Sequence, residues 1–376
     1  MIERTLENAI RKHIGSQKAI IIMGPRQVGK STLLHKIFDD EEDAIWYDAD
    51  DINTRGRFEN ATSEQMKVLI GKHKYVIIDE AQSLVNAGLT LKRITDYIPS
   101  AQVIAIGSSS FELADKIKEA LTGRKWEYSL FPLSFAEMAK HTNMPTEDSM
   151  ITHRLVYGYY PEVVSNPGEE KEILSTLASD YLYKDILKIE SIKKTDKLIR
   201  LLRALALQVG SQVSYNEVGQ TCGLDSKTVE KYIDILEQSY IVFRLCSYSS
   251  NLRNELKKSR KIYFYDLGIR NAILNNFTPF ENRDSHETGS LWENFLIVER
   301  MKYTKYNRFF CNRFFWRTKQ QNEIDYIEEY DGRLHTYEFK WAKSTDTRYP
   351  SLFMNTYKDS THEVINRDNF YSFIME

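Results

Sequence analysis

Ala19-Ile20-Ile21-Ile22-Met23, followed by Gly24-Pro25-Arg26-Gln27-Val28-Gly29-Lys30-Ser31-Thr32, decides the fold of this chain. The first five residues are an unbroken apolar run, the pattern of a strand buried on both faces. Gly24 to Ser31 fits GxxxxGK[ST] in full, and a helical pattern over 31–38 follows. Glycines let the backbone curl around a phosphate with several N–H groups pointing inward. The helix brings the positive end of its dipole to the same point. Lys30 can reach the β- and γ-phosphates, and the Ser31 hydroxyl can hold Mg²⁺. The loop from Gly24 to Thr32 is therefore the expected ATP site. A plain glycine turn is the alternative, and the strand-to-helix context argues against it.

Working outward, Ile45-Trp46-Tyr47, Tyr75-Val76-Ile77-Ile78 and Val103-Ile104-Ala105-Ile106 are three more candidate strands. Helical patterns over 31–38, 63–71 and 89–98 separate them. Strands alternating with helices imply an α/β fold, a parallel sheet with helices on both faces. The third strand runs into Asp79-Glu80. Asp79 then lies at a carboxyl end, next to the phosphate loop of a doubly wound sheet, where it can bind Mg²⁺ through water. Glu80 is the candidate to polarise the attacking water. Capping the following helix is a compatible structural role for the pair.

This arrangement resembles the AAA-type branch of the P-loop fold, in which a catalytic glutamate directly follows the aspartate. In that branch a further strand ends in a polar sensor residue, a place matched here by Ser108 and Ser109. Leu121-Thr122-Gly123-Arg124 and Phe131-Pro132-Leu133-Ser134-Phe135 narrow the likeness, as do Gly158-Tyr159-Tyr160-Pro161-Glu162, Tyr183-Lys184-Asp185-Ile186 and Tyr265-Asp266-Leu267-Gly268-Ile269. With them the chain is similar, over nearly its whole length, to a large prokaryotic family of predicted ATPases with a C-terminal domain of unknown function. The resemblance makes Arg124 a candidate to stabilise charge on the transferring phosphoryl group, in cis or across a subunit interface. Arg26 is a second candidate, and a structural ion pair is the alternative role for Arg124.

Beyond this region, 197–209 and 227–238 read as helices, 214–221 as a short helix, and Ile241-Val242-Phe243-Arg244-Leu245 as a strand. Helix, turn, helix, strand is a winged-helix pattern, with Lys227 and Lys231 where a DNA reader places its contacts. From 191 to 261 there are 13 basic and 7 acidic residues, with Arg253, Lys257, Lys258, Arg260 and Lys261 clustered. DNA is the expected partner of that excess; an interdomain packing module with a solvated basic face is the other reading.

Glu323-Ile324-Asp325-Tyr326-Ile327 alternates as a strand, Asp331-Gly332 signals a hairpin, and 334–341 returns with Glu338-Phe339-Lys340. Glu338 and Lys340 share a face. Upstream, Glu293 opens a helical run over 291–301. Glu, then Asp, then ExK resembles the PD-(D/E)XK nuclease core. The resemblance implies a restriction-endonuclease-like α/β domain in which Asp325 and Glu338, assisted by Glu293, hold one or two Mg²⁺ or Mn²⁺ ions. Lys340 would activate the attacking water. Trp316, Arg317 and Lys319 are candidate nucleic-acid contacts. Exposed hairpins also alternate Glu and Lys as plain ion pairs.

The 376 residues suggest two to three domains at about 150 residues each. The expected divisions are an AAA-like domain at 1–164, a helical and winged-helix segment at 165–260, and a nuclease-like domain at 261–376. With 42% apolar residues the chain can build real cores. A net charge of -2 requires any nucleic-acid surface to be local. Cys222, Cys246 and Cys311 lack CxxC spacing and read as reduced packing thiols. No run approaches the ~18–20 apolar residues that span a bilayer, so no membrane is expected. Residues 1–14 read as an amphipathic helix rather than a signal peptide, and the cytoplasm is the expected compartment. The leading expectation is a Mg²⁺-dependent ATPase whose nucleotide cycle is coupled to a nuclease-like domain acting on DNA. The second is a nucleotide-gated switch whose nuclease-like domain binds DNA or protein without cleavage. A homo-oligomer or a protein partner stays open.

Overall fold

The computed structural model describes residues 1–108, 117, 120–180, 195–249, 260–318, 320, 322–342 and 349–375. Two compact units divide the chain: Met1–Leu133 with Gln238–Tyr240, and Ser134–Glu237 with Ile241–Glu376.

The first unit is built on five strands: β1 Ala19–Met23, β2 Ala44–Asp48, β3 Tyr75–Asp79, β4 Gln102–Gly107 and β5 Lys125–Ser129. All pair in parallel, in the order β2-β3-β4-β1-β5. β1 and β4 are buried at every position, as their unbroken apolar runs require. β5 was not anticipated: Lys-Trp-Glu-Tyr-Ser has no apolar run, and it lies at the sheet edge. β4 stands between β1 and β3, so the two motif-bearing strands are not neighbours. The expected helices are Lys30–Phe38, Ser63–Ile70 and Ala87–Tyr97. Thr62 and Gln65 form a reciprocal capping box that starts the second of these. The expected amphipathic N-terminal helix is Leu6–Arg11, which buries Leu6 and Ile10.

The second unit carries seven strands: β6 Gln212–Val213, β7 Val242–Ser247, β8 Arg260–Phe264, β9 Asn312–Arg317, β10 Glu323–Tyr330, β11 Arg333–Phe339 and β12 Thr361–Ile365. Their order is β12-β11-β10-β9-β7-β8-β6. The helices Thr195–Leu207, Tyr215–Cys222 and Ser226–Gln238 accompany β6, β7 and β8. The last of them buries Val229, Tyr232, Ile233 and Leu236, the face read from the sequence, and leaves Lys227 and Lys231 exposed. Asp331 (φ 51°) and Gly332 (φ 73°) both take positive φ in the β10–β11 turn, as a two-residue hairpin demands.

The divisions expected at 164/165 and 260/261 are not those the compact units follow. One hydrogen-bonded sheet runs through the second of them, because β7 pairs in parallel with β9 at Cys246↔Phe314 and Ser247↔Phe315. The first moves to Leu133/Ser134 because the segment around Tyr159 locks onto the segment around Asp266, well inside the second unit. Asp266 accepts the Tyr159 N–H at 2.7 Å and caps its own helix through Ile269 N–H at 3.2 Å. A Cβ on Gly158 would lie 2.1 Å from Asp266 Oδ1, and one on Gly268 would lie 2.2 Å from the Tyr157 carbonyl oxygen. Two of the family-like motifs are thus the two halves of one packing joint. The motif at 183–186 lies outside the described residues. None of the three cysteines is in a disulfide. Among the described residues no helix is long and apolar enough to cross a membrane.

Candidate functional site

The phosphate loop leaves β1 at Met23 and enters the helix Lys30–Phe38. A Cβ at Gly24 would meet the Leu130 carbonyl oxygen at 2.0 Å, so only glycine fits there. Gly29 caps the helix in the left-handed region (φ 88°), which turns the backbone N–H groups inward. Lys30 is buried and donates to the Gly24 and Pro25 carbonyls at 2.9 and 2.7 Å. Its ammonium is therefore held inside the loop curl that would receive a phosphate.

Ser31 Oγ donates to Asp79 Oδ2 at 2.7 Å. The two residues chosen for Mg²⁺ meet at one point although their strands are not adjacent. Burial pushes the Asp79 carboxyl above its usual range, with the Ser31 bond opposing. A hydroxyl and a desolvated carboxylate, both hard oxygen donors, fit a small divalent cation, and Ser31 and Asp79 are the residues that would hold it. The Mg²⁺ would neutralise phosphate charge.

Glu80 takes a left-handed conformation (φ 48°, ψ 42°) and opens the short 3-10 turn Ala81–Ser83. Ser108, at the end of β4, donates to Glu80 Oε2 at 3.2 Å. The placement of β4 between β1 and β3 is what brings it there. Gln82 joins them: its Nε2 donates to Glu80 Oε2 and, at 3.2 Å, to Ser108 Oγ. Gln82 was missed from sequence because a glutamine two residues past a motif carries no signal of its own. Ser109 lies outside the described residues.

Arg4 was also missed. It is 8% exposed and donates to the Val28 carbonyl at 2.7 Å and the Phe131 carbonyl at 2.6 Å, bracing the loop from below. An arginine just before an amphipathic helix reads as surface charge. Arg124 is not at the site. Its neighbour Lys125 pairs with Ala19 at the opposite end of β1, about 16 Å of strand away from the loop. Its guanidinium pairs with Asp96 at 2.8 Å. In this structure Arg124 is in the ion pair read as its alternative role.

In the second unit Glu293, Asp325, Glu338 and Lys340 share one electrostatic neighbourhood. Asp325 lies one step beyond the Tyr326↔Tyr337 pair, opposite Glu338, on a β-bulge between Ile324 and Ile327. Asp325 Oδ2 accepts the Phe339 N–H at 2.9 Å, and Lys340 Nζ donates to Glu338 Oε1 at 2.9 Å. Glu293 accepts from Lys261 at 2.9 Å and from the Tyr263 hydroxyl. Lys261 also pairs with Glu323 at 2.6 Å. Among the described residues, no three acidic, His or Cys side chains are disposed to hold a metal. Each carboxylate expected to hold a metal is instead bonded to a donor of its own chain.

Burial pushes Glu293 up to about 7 against the pull of Lys261. Burial and the facing Asp325 push Glu338 up to about 7 despite Lys340. Burial would lower Lys261, but Glu293, Asp325 and Glu323 outweigh it and raise it. A carboxyl raised in the folded state favours folding below its unfolded value of 4.5, and that contribution is lost as pH rises through about 7. Glu338→Gln should therefore be stabilising relative to wild type at pH 8, by roughly 1–3 kcal/mol more than at pH 4.5. Thermal melts at the two pH values check this; an equal gap at both would contradict it.

Lys261 is buried, so it is not the DNA-contacting cation expected of the basic cluster. Arg260 stacks on Tyr215 and pairs with Glu230 at 3.6 Å. Arg253, Lys257, Lys258 and Lys319 lie outside the described residues. Trp316 packs on Phe353, and Arg317 pairs with Glu323 at 3.2 Å.

Residues 16–139 match the model of the AAA domain, 149–279 a domain of unknown function (DUF8612), and 288–371 another (DUF4143). An uncharacterized protein of Mycobacterium tuberculosis is 23% identical over 337 residues, covering 88% of this chain and 72% of the relative. An uncharacterized protein of Haemophilus influenzae is 26% identical over 255 residues, covering 65% of this chain and 60% of the relative. A solved structure similar to this chain is a Signal Transduction ATPase with Numerous Domains protein from Pyrococcus horikoshii. It has 14% identity and a TM-score of 0.30, covering 82% of this chain and 48% of that one. The phosphate loop, the Asp79–Glu80 pair and the five parallel strands all fall within the first matched segment, and the chain carries an AAA-type ATPase domain.

Proposed function

We propose that the chain hydrolyses ATP with Mg²⁺ and that this cycle is coupled to a nuclease-like C-terminal domain that acts on or binds DNA. The observation that carries the first half is the Ser31–Asp79 bond beside Glu80 and Ser108. It supports the reading in which Ser31 and Asp79 hold the metal, Glu80 is the general base and Ser108 the sensor.

The second half is supported by topology and residue type. The helix Ser285–Tyr306, the meander β9-β10-β11, the helix Ser351–Thr356 and the parallel strand β12 carry Glu293, Asp325, Glu338 and Lys340 on facing elements. The segment from Thr195 to Phe264 reads as a winged helix, with β8 pairing between β6 and β7 and with Lys227 and Lys231 exposed. A second metal would need Asp325 and Glu338 to exchange their in-chain donors for the ion. Those same donors favour the second reading, in which the domain binds DNA or protein without cleaving it. Arg124 would serve as an arginine finger only toward the site of a second copy, after leaving Asp96.

The experiment is cleavage of supercoiled plasmid with Mg²⁺ or Mn²⁺, with and without ATP, by wild type and Lys340→Ala. On the nuclease reading, nicking falls by about 10²-fold or more in the variant. Equal nicking by both proteins removes Lys340 from the chemistry. No nicking, with ATP turnover intact, leaves the binding role.

A further inference from the structure

Gln82 sits in the turn Ala81–Ser83, just past the left-handed Glu80. Its side-chain amide closes a triangle with the carboxylate and the sensor hydroxyl. Nε2 donates to Glu80 Oε2 and to Ser108 Oγ (3.2 Å), while Ser108 Oγ itself donates to Glu80 Oε2 (3.2 Å). The orientation of the amide follows from chemistry, since an ionised carboxylate only accepts and must face the NH₂ group. That leaves Oε1 on the other side. Oε1 is shut off from solvent and accepts no hydrogen bond among the described residues.

A buried acceptor without a partner costs roughly 1–3 kcal/mol and calls for an explanation. Gln82 bears that cost while its NH₂ group is presented to both Glu80 and Ser108, which marks a residue held for its position rather than for stability.

We propose that Gln82 is a positioning residue for ATP hydrolysis: its NH₂ group holds Glu80 and Ser108 in one frame, so that the Glu80 carboxylate is fixed for the attacking water. The inference rests on the ATPase reading of this site. In the step it serves, the water oxygen forms the bond to the γ-phosphorus. The bond from that phosphorus to the β,γ-bridging oxygen breaks, its electron pair leaving with ADP. The water proton passes to the Glu80 carboxylate and from there to phosphate. Gln82 itself exchanges no proton. Its left-handed neighbour explains the placement: without the sharp turn at Glu80, residue 82 would continue away from β4.

The test is steady-state phosphate release from ATP and Mg²⁺ by the full chain, wild type beside Gln82→Leu and Gln82→Asn. Leu removes both polar ends; Asn keeps the amide but is one methylene short of reaching. Both should lower kcat by about 10–100-fold, within the range for groups that organise proton transfer. KM and the affinity for a fluorescent ATP analogue should stay within about twofold, because the loop and Lys30 are untouched. Thermal melting confirms folding, and Gln82→Asn carries the test if the leucine variant does not fold. A folded variant with wild-type kcat overturns the role. So does a parallel fall in affinity and kcat, which would place the defect in the loop. A wild-type protein that releases no phosphate overturns the ATPase reading itself, and is seen before any variant is compared.

Discussion

Gly158→Ala is expected to destabilise the second unit by on the order of 3–5 kcal/mol and to lower its melting temperature by about 10 °C. The methyl group would lie 2.1 Å from Asp266 Oδ1 and 2.5 Å from Oδ2, at a residue whose φ is 71°. Neither partner can yield cheaply. Asp266 is buried, its carboxyl is raised by that burial, and it is spent on backbone N–H groups of Tyr159 and Ile269. Moving it would leave those buried donors unpaired. Gly289→Ala is the internal control. Gly289 lies within the helix Ser285–Tyr306 with nothing within 4 Å of a built Cβ, so alanine there should stabilise by about 0.5–1 kcal/mol. Thermal melts of the two variants beside wild type decide the matter. Equal melting temperatures for all three would show that the joint between the two motifs is not what holds this unit.

Lys30→Ala is the variant with the largest expected loss of nucleotide affinity. The ammonium is held by two carbonyls of the loop that it serves, so it is already positioned toward a phosphate cradled there. Losing a charge-assisted contact to the β- and γ-phosphates should cost about 2–3 kcal/mol, on the order of 100-fold in the Kd for ATP. Titration with a fluorescent ATP analogue reads this directly. An affinity within a factor of about two of wild type would place the nucleotide elsewhere.

Much of the ATPase domain was readable because its signals are local. The run from Ala19 to Met23 and the glycines after it specify a strand and a loop without help from the rest of the chain, and the Asp79–Glu80 step is a strand end in the sequence as in the fold. What could not be read depends on strand order. The placement of β4 between β1 and β3 decides that Ser108 reaches Glu80, and Gln82 enters the site only because Glu80 turns left-handed. Arg124 stands away from the loop of its own chain for the same reason: the parallel pairing of β5 with β1 puts it at the far end of the sheet. In the second unit the hairpin and its carboxylates were visible as a period-two pattern and an Asp-Gly turn. Lys261 was not, since a lysine in a basic cluster reads as a surface charge, and only the sheet order buries it against Glu293 and Glu323. The bulge that aims Asp325 leaves no mark on residue type.

The measurement that bears most directly on the account is phosphate release from ATP by wild type and Glu80→Gln, with Mg²⁺ and with the metal chelated. Wild type should turn over only with Mg²⁺. Glu80→Gln should bind the fluorescent ATP analogue as wild type does and lose turnover by about 10²–10⁴-fold, the contribution of a positioned general base. Undiminished turnover in Glu80→Gln would contradict the assignment of the hydrolysis site, and with it the nucleotide cycle on which the rest of the proposed function depends.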